Sequence, residues 1–329
     1  MAFRSCTSNP DLFDSFLATP PRNEVLRELA TLLDWDDLRA VVAPAYKSAG
    51  AGAPGYDPVV LIKLHLLQRL YGLSDPAVVE EAADRLSFRE FLGLRASDVV
   101  PDDTTLVKFR QRLREGGLID ALLVAVERQL ADQGITIREG AIKIIDATLI
   151  RAAVNPPRKG RGKGTKAPLD GDADFTVKGN QPHYGYKLHV AQDRETGLLA
   201  MHVVTAASTH DSQIFDDLID GSEGEVLADK AYDSRKNRAK LKANRTKVSI
   251  MKKAVRGKPL SPWWRGRNKS IGRVRGFIEG SFATFKRYLG CGRARYRGLE
   301  RVYEQMTWAV LAFNLRRAAA LRRHHRVPT

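Results

Sequence analysis

Two acidic residues stand in apolar, β-rich stretches, where a carboxylate needs a partner. Asp146 lies in the middle of the run Ala141–Ile150, and Asp229 closes the short apolar run EVLAD. Removing a carboxylate from water costs several kcal/mol unless a cation or hydrogen bonds offset the loss. Either acid could therefore hold a cation, although an aspartate at a strand end is more commonly a turn or capping residue. Neither residue alone decides between these interpretations.

A third acid, Glu279, is the only acidic residue of a helix predicted over Asn268–Leu289. Arg275 lies four positions before it and Lys286 seven positions after it. At about 100° per residue the three side chains fall within about 40° of one another on the helix surface. Taken alone, the spacing is explained by an ion pair between Arg275 and Glu279 worth a few tenths of a kcal/mol.

The first 135 or so residues are predicted to form short helices joined by turns. The segment Asn23–Ala45 is amphipathic, and Asp57–Tyr71 opens with an N-cap candidate followed by proline. A similar Asp-Pro start at Asp75 and the sequence around Asp102 predict two more helices.

On the helix after Asp102, Lys108 and Arg112 lie four residues apart and share a face. This face suits contact with DNA phosphates, and a solvated outer face explains the spacing about as well.

After Gly134 the pattern predicts an α/β arrangement that begins with the strand carrying Asp146. The stretch 155–181 is rich in Pro, Gly, Lys and Arg and is predicted to be a mobile basic loop, with its basic residues over Arg158–Lys166. An antiparallel hairpin is predicted next, over Tyr184–Gln192 and Leu198–Ala206. The remaining elements are a helix after Asp211, the strand ending at Asp229, a helix from Ser234, a strand around Val248 and the helix carrying Glu279.

The charge of the chain is concentrated at one end. The whole sequence is +16, and residues 251–329 hold 20 Lys and Arg against three acids, a net charge of +17. Such asymmetry predicts a polyanionic partner, whereas a solvated basic tail is the simpler alternative. Aromatic residues interleaved with these charges favour a folded segment. The run Arg322–Arg326 could bind phosphate or be a frayed terminus.

Cysteine and histidine give little evidence of a metal site. Cys6 and Cys291 lie far apart and outside any paired spacing, so both are predicted to be inert. The four histidines between 183 and 210 lack zinc-site spacing and are predicted to lie on strand surfaces: His183, His189, His202 and His210. An apolar run long enough to cross a membrane and a signal pattern are both missing from the sequence, which predicts a cytoplasmic protein without a membrane partner.

The motifs together resemble a known family. The succession AIKIIDATLI, HYGYKLHVAQD, THDSQIFDDL, VLADKAYDS and RVRGFIEGSFATFKRYLGCGRARYRG resembles the bacterial insertion sequence 5 transposases. The segments DPVVLIKLHLLQRLYGLSD and VPDDTTLVKFRQRL resemble the helical domain that precedes the catalytic domain in that family. The family has a signature in which Tyr is followed after two residues by Arg, after three more by Glu and after six more by Lys. Arg275, Glu279 and Lys286 stand at these spacings. Gly272 replaces the tyrosine, which leaves that residue's contribution to DNA positioning in question.

The resemblance implies an α/β fold with a ribonuclease H-like mixed sheet flanked by helices, preceded by an all-helical domain. The helical domain, residues 1–138, would bind DNA ends, and residues 139–329 would form the DDE catalytic domain. By the same resemblance Asp146, Asp229 and Glu279 would hold two Mg²⁺ ions about 3.5–4 Å apart, for which Mn²⁺ can substitute. Asp146 would bridge both ions. Arg275 and Lys286 would bind phosphates beside the scissile bond.

The implied partners are double-stranded DNA at the terminal inverted repeats and at the target, and a second copy of the chain on DNA. The place of action would be the bacterial cytoplasm, at the nucleoid when DNA is bound. Two other functions share much of the pattern: a DNA-binding protein that has lost catalysis, and a ribonuclease H-like nuclease that cuts without joining. Asp211 competes with Asp229 for the second acidic position, and Asp229 is preferred because it follows a strand.

Overall fold

The computed structural model describes residues 23–46, 55–156 and 170–326, with side chains to Arg323. The chain divides into two compact units, one formed by Met1–Thr136 with Thr307–Thr329 and the other by Ile137–Met306. The basic run Arg158–Lys166 lies outside the described residues. The separate functions expected for residues 1–138 and 139–329 stay a prediction.

The first unit contains short helices whose starts are capped by side chains. The predicted amphipathic segment Asn23–Ala45 is interrupted after Leu33 and does not form one helix. Asp34 accepts hydrogen bonds from the N–H groups of Asp36 and Asp37 and so begins a new helix. Asp57 and Asp102 cap their helices as expected. Ser74 caps the helix that starts at Asp75. The helices are α1 (Glu24–Leu32), α2 (Trp35–Val42), α3 (Pro58–Leu70), α4 (Asp75–Asp84), α5 (Leu86–Leu92), α6 (Asp103–Glu115) and α7 (Leu118–Asp132).

Helix α3 is the centre of this unit and is buried along nearly its whole length. Its His65 ring lies 5.7 Å from Phe109 of α6 and 5.0 Å from Trp308. A buried, two-pronged ion pair of 2.7 Å joins Arg110 of α6 to Asp75 of α4. In the part of the chain that the structure describes, no helix is long and apolar enough to cross a membrane.

The second unit is built on a six-stranded mixed sheet. The order is β2-β3-β1-β5-β6, with β4 also paired to β3. Strands β1, β5 and β6 are parallel, whereas β3 runs antiparallel to β1, β2 and β4. This is the mixed sheet expected from the resemblance. The strands are β1 (Ile142–Arg151), β2 (Asp174–Lys178), β3 (Gln181–Asp193), β4 (Leu199–Ala206), β5 (Glu225–Ala228) and β6 (Lys247–Ile250).

Helices complete this unit on both faces of the sheet. One face buries Ile145, Val226 and Ala228 against Phe215 and against Leu241 of α8. By the alternation of strand side chains, the residues next to these in sequence face the other side, where α9 packs against β1 and β5. These helices are α8 (Arg235–Ala243) and α9 (Pro262–Arg287), and a final helix α10 (Leu299–Arg326) is divided between the two units.

Three sequence predictions for this unit were wrong in detail. The stretch 155–181 contains strand β2 among its described residues, paired to β3. The residues after Asp211 form two short 3-10 helices, Asp211–Gln213 and Phe215–Leu218, instead of an α-helix. Helix α9 begins six residues earlier than predicted, because Ser261 caps it and Pro262 occupies its first turn.

A buried ion pair in the sheet gives a stability prediction. Lys143 of β1 is 2% exposed and contacts Glu223, which is fully buried, at 3.0 Å. Lys143→Met leaves the Glu223 carboxylate without its cation, and the free energy of unfolding should fall by about 3–5 kcal/mol. Urea unfolding measures this loss.

The matched control is Lys247→Met on β6, whose ion pair with Glu225 is largely exposed on the lysine side. Its loss should stay below about 1 kcal/mol. Equal losses in the two variants would contradict the buried ion pair as a structural element.

Candidate active site

The pairing of β1 with β5 brings two of the three predicted acids together. These strands are parallel, with Ile145 beside Ala228. Asp146 and Asp229 are the next residues on each strand, and Asp229 still has extended backbone angles. Since Ile145 and Ala228 face the same buried cluster, the two aspartates face the opposite side, towards α9. Neighbouring strands lie about 4.8 Å apart, so Asp146 in the middle of β1 is adjacent to Asp229 at the carboxyl end of β5.

Helix α9 is fixed against this face by apolar packing and by one buried polar contact. Ile278, Phe282 and Phe285 are buried. The Ser281 hydroxyl contacts the Gln192 side-chain amide of β3 at 2.8 and 3.0 Å. These contacts set the rotation of the helix, and Arg275 consequently reaches Asp146 in the middle of β1.

Arg275 connects two of the three acids directly. One terminal nitrogen of its guanidinium donates to the Asp146 carboxylate, and the other lies 3.5 Å from Glu279. A single guanidinium group therefore separates the two carboxylates. The helical ion pair predicted from spacing is present, and it extends to a strand acid 129 positions away in the chain.

The electrostatic environment of Asp146 is unusual for an aspartate. Burial, with a smaller contribution from the nearby Asp229, raises its pKa from 3.8 to about 6. Arg275 and the Ala147 N–H act in the opposite direction. The side chain of Asp146 is 17% exposed, whereas that of Glu279 is 67% exposed. Burial also raises the pKa of Tyr232, whose hydroxyl is buried near both aspartates without a hydrogen-bond partner among the described residues.

Two lysines add positive charge beside the acids. Partial burial lowers the pKa of Lys286, and the positive charge of Lys178 on β2 contributes. Lys178 also acts on Asp146 electrostatically. The sequence analysis missed Lys178, because its stretch was predicted to be a loop. The alternation of polar and apolar residues in DFTVK, residues 174–178, was the available signal.

Glycines leave open space on the surface of α9 next to Arg275 and Glu279. Gly272, Gly276 and Gly280 recur every four residues, and a methyl group added to any of them would meet no atom within 4 Å. Packing therefore does not require these glycines, although each costs about 1 kcal/mol relative to alanine in a helix. Gly272, where the family has tyrosine, belongs to this row.

The other predicted site residues lie elsewhere. Lys108 and Arg112 are exposed on α6, and the Arg112 guanidinium lies 5.2 Å from the Tyr46 ring. Asp211 forms an ion pair with Lys187 at 2.8 Å. His210, one residue earlier, caps the 3-10 helix in place of Asp211.

Histidine and cysteine positions complete the comparison with the sequence. His189 is fully buried and contacts Thr205 at 3.0 Å, so its prediction as a surface residue was wrong. Cys291 is buried, and its thiol contacts the Leu289 carbonyl. Arg322 forms an ion pair with Glu28 of α1 at 3.2 Å, so this part of the terminal basic run is anchored instead of frayed.

The residues present fit a hard divalent cation by their chemistry. Carboxylate oxygens are the ligands that Mg²⁺ prefers, and the burial of Asp146 creates a demand for positive charge. In the described ranges no three His, Cys, Asp or Glu side chains converge closely enough to hold a metal ion. The guanidinium of Arg275 supplies the positive charge between Asp146 and Glu279 in this conformation.

The raised pKa of Asp146 predicts how stability depends on pH. The folded protein binds a proton at Asp146 more tightly than the unfolded chain does, so stability falls as pH rises from about 4 to about 6. In EDTA above pH 6, Asp146→Asn should therefore be about 2–3 kcal/mol more stable than the parent. The difference should disappear below pH 4, as measured by thermal unfolding across pH.

Asp233 offers a control of opposite sign. Burial opposes its ionisation, but hydrogen bonds from the Lys253 N–H and from Arg238 outweigh this effect and lower the pKa of Asp233. Its stabilisation is present above the ordinary pKa and is lost as pH falls. Asp233→Asn should therefore be destabilising at neutral pH, and a stabilising effect there would contradict the electrostatic interpretation.

Comparison with known proteins gives the family of the chain. The family described as "Transposase domain (DUF772)" matches residues 14–112, and the family described as "Transposase DDE domain" matches residues 138–315. A cryo-EM structure of a piggyBac transposase synaptic complex with hairpin DNA superposes with a TM-score of 0.43 and 11% sequence identity, covering 94% of this chain and 75% of that chain. The second family match spans more than half of the chain and includes Asp146, Asp229 and Glu279, so the chain belongs to the DDE transposase family and is a DNA transposase.

Proposed function

We propose that Asp146, Asp229 and Glu279 form the catalytic site at which this transposase cuts insertion-element ends and joins them to target DNA. The observation that carries the proposal is the bridge made by Arg275 between Asp146 and Glu279, with Asp229 beside Asp146 in strand register. Under this proposal, acids from two strands and one helix act together in an otherwise basic part of the chain. A protein retained for DNA binding alone has no use for such a group of acids.

The reaction has two steps of the same kind. In the first, a water oxygen forms a bond to phosphorus, the bond to the 3′ oxygen breaks, and a free 3′-hydroxyl results. In the second, this hydroxyl forms a bond to a target phosphorus, and a target 3′ oxygen leaves. Two Mg²⁺ ions, or Mn²⁺ in their place, would be held by the three carboxylates and would stabilise the attacking and leaving oxygens.

The residues around the acids have separate roles in this proposal. Asp146 lies beside Asp229 and contacts the guanidinium that reaches Glu279. It would hold both ions, with Asp229 and Glu279 each completing one side. Arg275 has a planar guanidinium that can donate to a phosphate in two directions. Lys286, together with Lys178, would add point charges to the phosphate path.

The glycine row on α9 supports access of DNA to the acids. Because Gly272, Gly276 and Gly280 have no side chains, a DNA backbone can approach the helix more closely there. The helix keeps these glycines at a cost of about 1 kcal/mol each, which an approaching ligand would explain.

The helical unit would recognise the ends of the insertion element. Lys108 and Arg112 lie exposed on one helix and can contact phosphates of the terminal inverted repeat. Joining two ends requires both to be held at once, so the active form would be a homodimer on double-stranded DNA. It would act at the nucleoid in the bacterial cytoplasm.

Cleavage of a plasmid carrying the insertion element tests the three acids. In Mg²⁺, Asp146→Ala, Asp229→Ala and Glu279→Ala should each lower cutting at the element ends by at least about 10³-fold, because each removes a ligand needed in the transition state. Gel analysis of the cut ends measures this loss. Glu195→Ala, which removes an exposed acid in the β3–β4 turn, is the matched control and should cut normally.

The same assay separates the neighbouring functions. Joined products in the parent reaction support a transposase, and cutting without joining supports a nuclease. If the three acid variants cut as well as the parent, the proposed site is wrong.

Gly276→Leu tests the glycine row. The substitution should raise the free energy of unfolding by about 1 kcal/mol through helix propensity. Cleavage should nevertheless fall by about tenfold or more, since the leucine occupies space proposed for the DNA backbone. Thermal unfolding and DNA cleavage are measured on the same preparation.

Gly266→Leu serves as the control on the same helix, about 15 Å further along its axis. It should give a similar gain in stability with little change in cleavage. Normal cleavage by Gly276→Leu would show that the row has no part in DNA access.

A further inference from the structure

A basic cavity opens between α8 and the segment that follows β6. Its volume is about 690 Å³. The charged residues of its lining, here called the basic pocket, comprise one acid and five cations: Asp233, Arg235, Arg238, Lys242, Lys252 and Lys253. The net charge of +4 on so few side chains predicts an anionic ligand.

The one acid of the basic pocket, Asp233, is already paired with cations and a backbone N–H. Asp233 accepts hydrogen bonds from the side chain of Arg238 at 2.6 Å and from the N–H of Lys253 at 2.8 Å. Lys252 lies 3.5 Å from the same carboxylate. Arg238 also donates to the Ile250 carbonyl at 2.9 Å, and its guanidinium lies 5.7 Å from the Trp264 ring. The single acid of the pocket is therefore fully engaged.

The cations at the mouth of the basic pocket have no such partner. Arg235, Lys242 and Lys253 are exposed, and no carboxylate among the described residues lies within 4.0 Å of their side-chain nitrogens. On the same helix α8, Lys236 and Lys240 both pair with Asp216, at 2.7 and 2.8 Å. One face of this helix thus has lysines that are paired with a carboxylate, and another face has cations without a carboxylate partner among the described residues.

The basic pocket continues the edge of the sheet on which the acids lie. Ile145 pairs with Ala228, and Ala228 pairs with Ile250. Asp146 within β1, Asp229 directly after β5 and Met251 directly after β6 are consequently successive positions in one row across the three strands. Lys252 and Lys253 follow Met251 directly. Two strand spacings amount to roughly 10 Å, which is about three base-pair steps of 3.4 Å along B-form DNA.

We infer that the basic pocket binds a backbone phosphate of the strand being cut, two to four nucleotides from the scissile phosphate. This inference rests on the proposed function, since the acids define where the scissile phosphate lies. Arg235, Lys242 and Lys253 contact the phosphate oxygens. The Asp233–Arg238 ion pair joins the helix side of the pocket to the segment after β6. The pocket thereby fixes the direction in which the strand crosses the sheet edge.

The salt dependence of DNA binding gives the first test. Binding of the full chain to a 30-base-pair duplex is measured in EDTA, so that no cutting occurs, at several salt concentrations. The double variant Arg235→Ala, Lys253→Ala should lower the slope of log affinity against log salt by about 1, because one phosphate contact is lost. Lys236→Ala, from the carboxylate-paired face of the same helix, should leave the slope unchanged.

Neutral phosphates give the second test. A methylphosphonate group, which carries no charge, replaces one phosphate at a time in a duplex bearing the cut site. For the parent, neutralising the phosphate bound by the basic pocket should weaken binding by about tenfold. For the double variant the same change should have no further effect, because the contact is already lost.

The outcomes separate this inference from the proposed function. The inference would be overturned if the double variant had an unchanged salt slope. It would also be overturned if, at every position within four nucleotides of the cut, the effect of the methylphosphonate added to that of the double variant. Both conclusions hold even if the parent cuts DNA through its three acids. A lowered slope without acid-dependent cutting would support the pocket as a phosphate site and would refute the proposed catalytic site. Normal thermal unfolding of the double variant confirms that it is folded.

Discussion

The ion pair between Asp146 and Arg275 couples the central strand β1 to helix α9. A carboxylate in the middle of a central strand, mostly removed from water, raises the free energy of the fold unless positive charge lies beside it. Helix α9 supplies that charge through Arg275, and in doing so it brings Glu279 to the same place. The position of the helix is thus coupled to the charge state of the strand acid.

The carboxyl edge of the parallel strands collects the other charged groups. Strands β5 and β6 end at the same level, beside the middle of β1, because the three strands are parallel and in register. Asp146 lies within β1, Asp229 follows β5, and two lysines come shortly after β6. An edge with negative charge at one end and positive charge at the other suits a ligand that is itself a polyanion and that needs cations near its reacting group.

Sequence patterns predicted the strands and most helix starts of this chain, and they failed where pairing partners decide the structure. Strand β2 was predicted to be loop, since its weak pattern forms a strand only when β3 is beside it. His189 was assigned to a surface because its type is commonly exposed, whereas β4 and its Thr205 bury it. The residues after Asp211 have an apolar helical spacing, but they close as 3-10 turns, with Phe215 and Leu218 directed into the core.

The sequence by itself determined the residue types, the position of each acid within a strand, at a strand end or on a helix, and the family resemblance that grouped Asp146, Asp229 and Glu279. These features are local, because strand alternation and helical spacing are encoded within a few residues. Only the tertiary structure decided that Arg275 lies between Asp146 and Glu279, that Lys178 joins them, and that the basic pocket shares their edge. Such contacts join residues up to 129 positions apart, and their geometry depends on strand register and on helix packing, which no local pattern specifies.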